Sequence, residues 1–225
     1  VGVFWLPSYH DMGLIGGILE PMYIGGDSVL MSPASFLQRP SRWLEAITRF
    51  RGTTSGAPNF AYELCAEKVT PEQRASLDLS SWTLAFSGAE PVRPDTLDRF
   101  AEAFAPCGFR REAFYPCYGL AEASLLAAGG DGPGLPILYT VQRSALAAHR
   151  ALPVLPAASA GHPTESARHG PPVRAGVQAD PDALTMVSCG AGLLDERIVI
   201  VDPDTFARLG PTEVGAKARD PVDGP

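Results

Sequence analysis

The sequence predicts an α/β protein: a mostly parallel sheet flanked by helices, with a further β-rich subdomain starting near the C-terminal end. Three observations carry this. Through Leu126, short apolar or β-branched runs bounded by Gly, Pro or Asp alternate with stretches of helical spacing. Hydrophobic residues make up 45% of the 225 and charged residues 19%, enough for a sizeable core. Beyond a Gly-, Pro- and Ala-rich stretch from 129 to 183, two more strand-like runs return.

Val1–Leu6 reads as the first strand, ending at a Pro. Met12–Tyr23 has a helical pattern loosened by Gly16 and Gly17, and Ser28–Ser32 is the second strand. Ser41–Phe50 is a clearer helix, with Pro40 before it and Trp43, Leu44, Ile47 and Phe50 at helical spacing. Asn59–Val69 follows, with Asn59 as the expected N-cap and Tyr62, Leu64 and Cys65 turned inward. Trp82–Ser87 is a strand, and Pro94–Phe104 a helix with Leu97, Phe100 and Phe104 on one face. The 129–183 stretch offers one weak helix, Ser144–Arg150. Leu184–Ser188 and Arg197–Asp202 are strands, whereas the final A-K-A-R-D-P-V-D-G-P has no periodic pattern. The expected organisation is a core over 1–128, an insertion or loop over 129–183, the start of a β subdomain over 184–215 and a tail over 216–225.

A net charge of −7 without a basic block argues against nucleic acid and anionic membrane surfaces as partners. The greasiest stretch, Met12–Leu19, is broken by Glu20 and Pro21 and is too short to span a bilayer. Cys65, Cys107, Cys117 and Cys189 form no C-x-x-C pair and have no histidine at metal-ligand spacing, which fits reduced thiols in a cytoplasmic protein. Val1 starts inside a strand with no initiator Met and no signal peptide, so the chain is expected to be a piece of a longer one.

Three stretches have the residue types of a reaction site. In W-L-P-S-Y-H-D-M-G-L, Tyr9, His10 and Asp11 fall at the carboxyl end of a strand, the edge where open α/β sheets bind ligands. Adjacent residues point in different directions, so His10 and Asp11 are no ready-made dyad, and taken alone a structural histidine capping the turn is the plainer alternative. In W-T-L-A-F-S-G-A-E-P-V, the small Ser87, Gly88 and Ala89 let a flat ring approach the backbone, and Pro91 fixes the turn; an ordinary turn with an exposed Glu90 is the plainer alternative. In Y-P-C-Y-G-L-A-E-A-S-L, Tyr118 and Gly119 turn into an expected helix. Glu122 lies early in it, where a carboxylate suits the dipole and can hold Mg²⁺; a dipole-stabilised surface glutamate is the plainer alternative.

Taken together and in order, these stretches resemble the adenylate-forming ligases, and most closely the fatty acyl-AMP ligases. The matching segments are WLPSYHDMGLIGGIL, SPASFLQRPSRWLEAI, APNFAYELC, LDLSSW, SGAEPV, YPCYGLAEASL, VSCG and DERIVIVDPDT, spanning about 3 to 215 with a weak gap from 129 to 183. The resemblance implies the large N-terminal ligase domain, in part, and a reaction in which ATP and a fatty acid give an acyl-adenylate and pyrophosphate. The acyl group then passes to the phosphopantetheine thiol of an acyl carrier protein in a polyketide or nonribosomal peptide pathway.

Carried over residue by residue, the resemblance implies that Ser87, Gly88, Ala89, Glu90 and Pro91 line the adenine side of an ATP/AMP pocket. Tyr118, Gly119, Leu120 and Ala121 would hold the base and phosphate region, and Glu122 would bind Mg²⁺ beside the phosphates. His10 would act at the reacting carboxylate and α-phosphate, with Asp11 positioning its loop. Met12, Leu14 and Ile15, joined by Ala57, Pro58 and Phe60, would wall the acyl tunnel. The 129–183 stretch lies where these ligases carry an insertion associated with rejecting coenzyme A.

The chain also departs from the family. The phosphate loop with its lysine, the Thr-Gly-Asp motif and the C-terminal domain with its catalytic lysine are not in it, and the last ten residues replace an expected strand. The chain alone is therefore expected to have little ligase activity. Three alternatives follow: a fatty acyl-CoA ligase, a glycosidase using Glu90 and Glu122 as a carboxylate pair, and a non-catalytic remnant that binds acyl or adenylate ligands.

Overall fold

The structure, a computed structural model, describes residues 1–130, 132, 134–154, 180–193 and 197–219. Its centre is a five-stranded parallel sheet of β1 (Gly2–Phe4), β2 (Ser28–Leu30), β3 (Thr54–Ala57), β4 (Leu84–Ser87) and β5 (Phe114–Pro116), ordered β2-β1-β3-β4-β5. The chain steps from β1 outward to β2, then builds the other side from β3 to β5. The strand order thus reverses between β1 and β3, a topology that opens a crevice at the strands' carboxyl ends.

Residues of alternate strand positions face opposite ways. Val3, Trp5, Ser55, Ala57, Ala85 and Phe114 face a layer of helices: α2 (Pro33–Gln38), α3 (Ser41–Phe50), α4 (Asn59–Lys68) and α6 (Pro94–Phe104), with the single-turn α5 (Pro71–Arg74) between the last two. Helix α3 buries Trp43, Leu44 and Ile47, and α6 buries Leu97, Phe100 and Phe104, the stripes expected from their spacing except that Phe50, at the end of α3, is exposed. Trp5, Phe36, Trp43, Tyr62, Trp82, Phe100, Phe109 and Phe114 form one connected aromatic cluster there. Trp5 and Phe36 lie nearly parallel at 3.9 Å between ring centroids, and most other pairs meet edge to face.

Ser55 pairs two of the indole N–H groups in this core, while the Trp5 indole N–H is buried without a partner among the described residues. The Ser55 hydroxyl accepts from the Trp43 indole N–H at 2.8 Å and donates to the Val3 carbonyl, while its own carbonyl accepts from the Trp82 indole N–H at 3.2 Å. Asn59 ties α4 to α6: its amide donates to Thr96 Oγ1 at 3.2 Å and accepts from the Arg93 N–H at 2.9 Å. Asn59 is thus the first helical residue of α4, not its cap; Pro58 holds the cap position, where an extended backbone is built in.

The opposite face presents Phe4, Thr54, Gly56, Leu84, Phe86 and Tyr115. The Phe86 ring lies across β3, stacked on Phe4 at 6.2 Å, and a Cβ at Gly56 would sit 2.3 Å from that ring. Over β1 and β2 runs the helix from Met12, with π geometry over Met12–Leu19 and α geometry only in α1 (Glu20–Ile24). The single α-helix expected over Met12–Tyr23 is therefore replaced by a widened one, a geometry enriched at functional sites.

After β5 the strands turn antiparallel. β6 (Tyr118–Gly119), β7 (Leu126–Gly129) and β10 (Ala191–Gly192) form a three-stranded sheet, and β8 (Leu138–Gln142) pairs with β9 (Ala183–Val187). The weak helix expected over Ser144–Arg150 appears as α7 (Arg143–Ala147). The expectation of little regular structure over 129–183 is corrected by β8, whose partner lies beyond the Pro/Ala-rich segment; residues 155–179 lie outside the described residues. The tail expected to lack a strand contributes β12 (Ala216–Arg219), paired with β11 (Ile198–Val201). Backbone pairing with an existing strand supplies what side-chain alternation does not signal.

Candidate active site

A cavity of about 350 Å³ opens on the sheet face opposite the aromatic core. His10, Asp11 and Met12 reach it from the loop after β1, Gly88 and Ala89 from the loop after β4, and Cys117, Gly119, Leu120 and Ala121 from the chain after β5. These are the carboxyl ends of three parallel strands. From there the cavity continues along the sheet over Phe86, Leu84 and Thr54, beneath Gly16 and Glu20 of the overlying helix, with Leu125 and Leu126 as a third wall. At its mouth, by the strand ends, the lining carries His10 and Asp11 among small residues; along the sheet it is apolar apart from Thr54 and Glu20.

Local structure holds the mouth open. His10 Nδ1 accepts the Met12 N–H at 3.2 Å, which assigns the proton of a neutral imidazole to Nε2 and leaves that nitrogen as a donor. The same turn is closed by the His10 N–H to the Pro7 carbonyl at 3.1 Å and by the Gly13 and Leu14 N–H groups to the His10 carbonyl, each at 2.9 Å. A Cβ at Gly88 would lie 3.0 Å from Cys117 Sγ and 3.1 Å from its carbonyl oxygen, so this loop packs tightly against the residue after β5 and a side chain there would make Cys117 give way. Ala89 is held at φ 65°, a left-handed conformation that costs a non-glycine residue about 1–2 kcal/mol. Ser124, at φ 63° and ψ −58°, centres a γ-turn closed by the Leu125 N–H to the Ala123 carbonyl at 2.8 Å. Strain of this kind concentrates where a site's geometry is over-determined.

Of the residues singled out in the sequence, the cavity brings together His10, Asp11, Met12, Gly88, Ala89, Gly119, Leu120 and Ala121. The others lie elsewhere. Leu14 is exposed and Ile15 half-buried, off the cavity lining. Ala57 and Ser87 are buried on the helix-covered face, Pro58 caps α4, and the Phe60 ring stands edge-on to Trp5 at 6.1 Å. Glu90 is exposed, and its carboxylate accepts the Phe60 N–H at 2.6 Å; Pro91 follows it, off the lining. Tyr118 pairs with Ala128 across β6 and β7. Glu122 is exposed on a single 3₁₀ turn, Ala121–Ala123, not at the start of a helix, so no helix dipole acts on it. Neither carboxylate of the glycosidase pair lines the cavity.

Sequence reasoning missed Gly16, Glu20, Thr54, Leu84, Phe86, Tyr115, Cys117, Leu125 and Leu126. The four-residue spacing of Met12, Gly16 and Glu20 and the alternation of Leu84 with Phe86 were the available signals. Cys117 is inert: burial pushes its thiol up to about 12, with Cys189 nearby adding to the effect, and its S–H donates to the Ser87 carbonyl at 3.6 Å. No cluster of three or more His, Cys, Asp or Glu placed to hold a metal occurs among the described residues. Nor is any helix among them long and apolar enough to cross a membrane.

His10 and the glycines of these strand-end loops, above a groove along a parallel sheet, make a ligand site of the kind open α/β sheets build at their carboxyl edge. The chain belongs to the AMP-binding enzyme family, which it matches over residues 1–216. It is 40% identical over 215 residues to the medium-chain-fatty-acid–acyl-carrier-protein ligase JamA of Moorena producens, covering 96% of this chain and 33% of that one. It is 43% identical over 199 residues to the putative fatty-acid–CoA ligase FadD21 of Mycobacterium tuberculosis, covering 86% and 33%. Among solved structures, the fatty acyl-adenylate ligase of Legionella pneumophila in complex with acyl adenylate and pyrophosphate superposes with a TM-score of 0.83 at 40% identity, covering 97% and 34%. The chain thus spans about a third of the length of these relatives.

Proposed function

We propose that the protein carrying this chain activates a fatty acid with ATP, releasing pyrophosphate, and then transfers the acyl group from the acyl-adenylate to the thiol of an acyl carrier protein. The observation that carries this reading is the cavity itself: His10 and Asp11 among small residues at the carboxyl ends of β1, β4 and β5, leading into a groove along the sheet lined mainly by Leu84, Phe86, Leu125 and Leu126.

In this reading the nucleotide occupies the mouth. Gly88, Ala89, Gly119, Leu120 and Ala121 present backbone and small side chains there, which suits a flat base and a closely held phosphate. The acyl chain lies against Met12, Leu84, Phe86, Leu125 and Leu126. The carboxylate oxygen attacks the α-phosphorus and pyrophosphate leaves with the electron pair of the broken P–O bond. Two anions meet in this step, so alignment and charge stabilisation dominate the barrier. His10, with its proton on Nε2, donates to the oxygens where negative charge develops. Glu122, the candidate Mg²⁺ ligand, follows Ala121 of the lining but stands exposed outside it, so no step is routed through that ion.

The test is fatty-acid-dependent ATP–pyrophosphate exchange by the whole protein that contains this segment, followed by acyl transfer to a carrier protein. Replacing His10 with Ala is expected to lower the exchange rate by about 10²–10³-fold, the usual effect of losing one donor to developing charge. Exchange without dependence on a fatty acid sinks the reading. The likeness to FadD21 favours a second reading, in which coenzyme A is the acceptor. Competition between coenzyme A and a carrier protein for the same acyl-adenylate separates the two.

A further inference from the structure

The helix over the groove carries three buried glycines, and close packing demands only one of them. A Cβ at Gly13 would fall 2.2 Å from the Pro7 carbonyl oxygen, whereas one at Gly17 would make an ordinary contact with the Phe4 ring at 3.4 Å, away from the groove lining. A Cβ at Gly16 would meet one atom within 4 Å, Leu125 Cδ2 at 3.8 Å, an ordinary contact. Gly16 also sits inside the helical run, in no left-handed conformation. Neither its backbone nor its neighbours require glycine, although glycine weakens a helix relative to alanine.

What glycine leaves at this position is space in the groove. Met12, Gly16 and Glu20 follow one another at four-residue steps along the groove lining, opposite Phe86, Leu84 and Thr54 of the sheet. Met12 lies at the mouth with His10, whereas Glu20 lies at the far end with Thr54 and Leu84, the first residues of β3 and β4. Leu125 forms the wall facing Gly16. From Gly88 to Leu84 is four strand steps, about 13 Å, room for on the order of ten extended carbons.

We propose that Gly16 is a specificity-determining position, at which the missing side chain sets how long an acyl tail the groove admits. A side chain there would grow toward Leu125 and close the groove partway along, leaving the mouth untouched. This rests on the fatty-acid reading above.

The experiment measures kcat/KM for ATP–pyrophosphate exchange by the whole protein with hexanoic, decanoic and tetradecanoic acids, in the wild type and in Gly16→Ala and Gly16→Leu. In Gly16→Leu, kcat/KM for decanoic and tetradecanoic acids is expected to fall by about 10–100-fold relative to hexanoic acid, the range that single-methylene differences reach in apolar pockets. Gly16→Ala shifts the profile the same way by a few fold, with a melting temperature no lower than wild type. Affinities of acyl-sulfamoyl-adenosine probes of the same three lengths for Gly16→Ala decide the matter if Gly16→Leu does not fold. A decline by one common factor at all lengths overturns the proposal and leaves the fatty-acid reading standing. No exchange by the wild type with any acid overturns both.

Discussion

The carboxylate of Glu90 accepts a hydrogen bond from the backbone N–H of Phe60 at 2.6 Å, joining the loop after β4 to the first turn of α4. That N–H is one of the donors a helix start leaves without an intrahelical partner, so Glu90 caps α4 from another segment. The residues just before it, Gly88 and Ala89, form part of the cavity mouth. Glu90→Ala is therefore expected to cost about 1 kcal/mol in urea unfolding, as lost caps do. Glu90→Gln, which keeps an acceptor oxygen, should retain most of it. Equal losses for both would show that charge, not the cap, matters.

Ser55 is the polar centre of an otherwise apolar layer. Ser55→Ala strips the Trp43 indole N–H of its acceptor in a fully buried position. The expected cost is about 1–3 kcal/mol, measured by denaturant unfolding. By contrast, Ser87 Oγ is buried without a hydrogen-bond partner among the described residues, so Ser87→Ala should be neutral or slightly stabilising.

Much of the fold was legible because its helices obey simple spacing. Trp43, Leu44 and Ile47, and Leu97, Phe100 and Phe104, announce one buried face each, and both helices lie where the pattern places them. Strand β3 was illegible: T-S-G-A has no apolar run, because Ser55 serves two tryptophans and Gly56 makes way for the Phe86 ring. Those demands come from other segments and leave no local trace. The site divides similarly. Its mouth is written in contiguous motifs after β1, β4 and β5, whereas its length is assembled from Gly16, Leu84, Phe86 and Leu125, each from a different element.

Ala89 gives a backbone test. At φ 65° a glycine relieves strain in the folded chain but adds freedom to the unfolded one, and the two effects are of similar size. Ala89→Gly should leave stability within about 1 kcal/mol. Ala89→Val, branched at Cβ, should lower it by about 2 kcal/mol. Thermal melts of the two variants check this.

Alkaline stability should report on Cys117. Its thiol is neutral when protonated, and burial raises it from 9.0 to about 12. Between those values the folded chain keeps a proton that the unfolded chain has lost. The contribution is full below pH 9 and falls by about 1.4 kcal/mol per pH unit until pH 12. Buried Cys65 and Tyr62 are shifted in the same direction by desolvation. Urea midpoints measured upward from pH 9 should decline, with a shallower slope in Cys117→Ala.

All three tryptophans of the chain sit in one aromatic cluster, with ring centroids 6.2 Å apart for Trp5 and Trp43 and 5.2 Å for Trp43 and Trp82. At such spacing they behave optically as one chromophore: excitation migrates among them, and their near-ultraviolet dichroism is coupled. The chain's tryptophan emission therefore watches the helix-covered side of the sheet. Unfolding of that layer will dim or shift it sharply. A molecule entering the groove on the other side, against Phe86 and Tyr115, will pass almost unseen unless it carries its own dye.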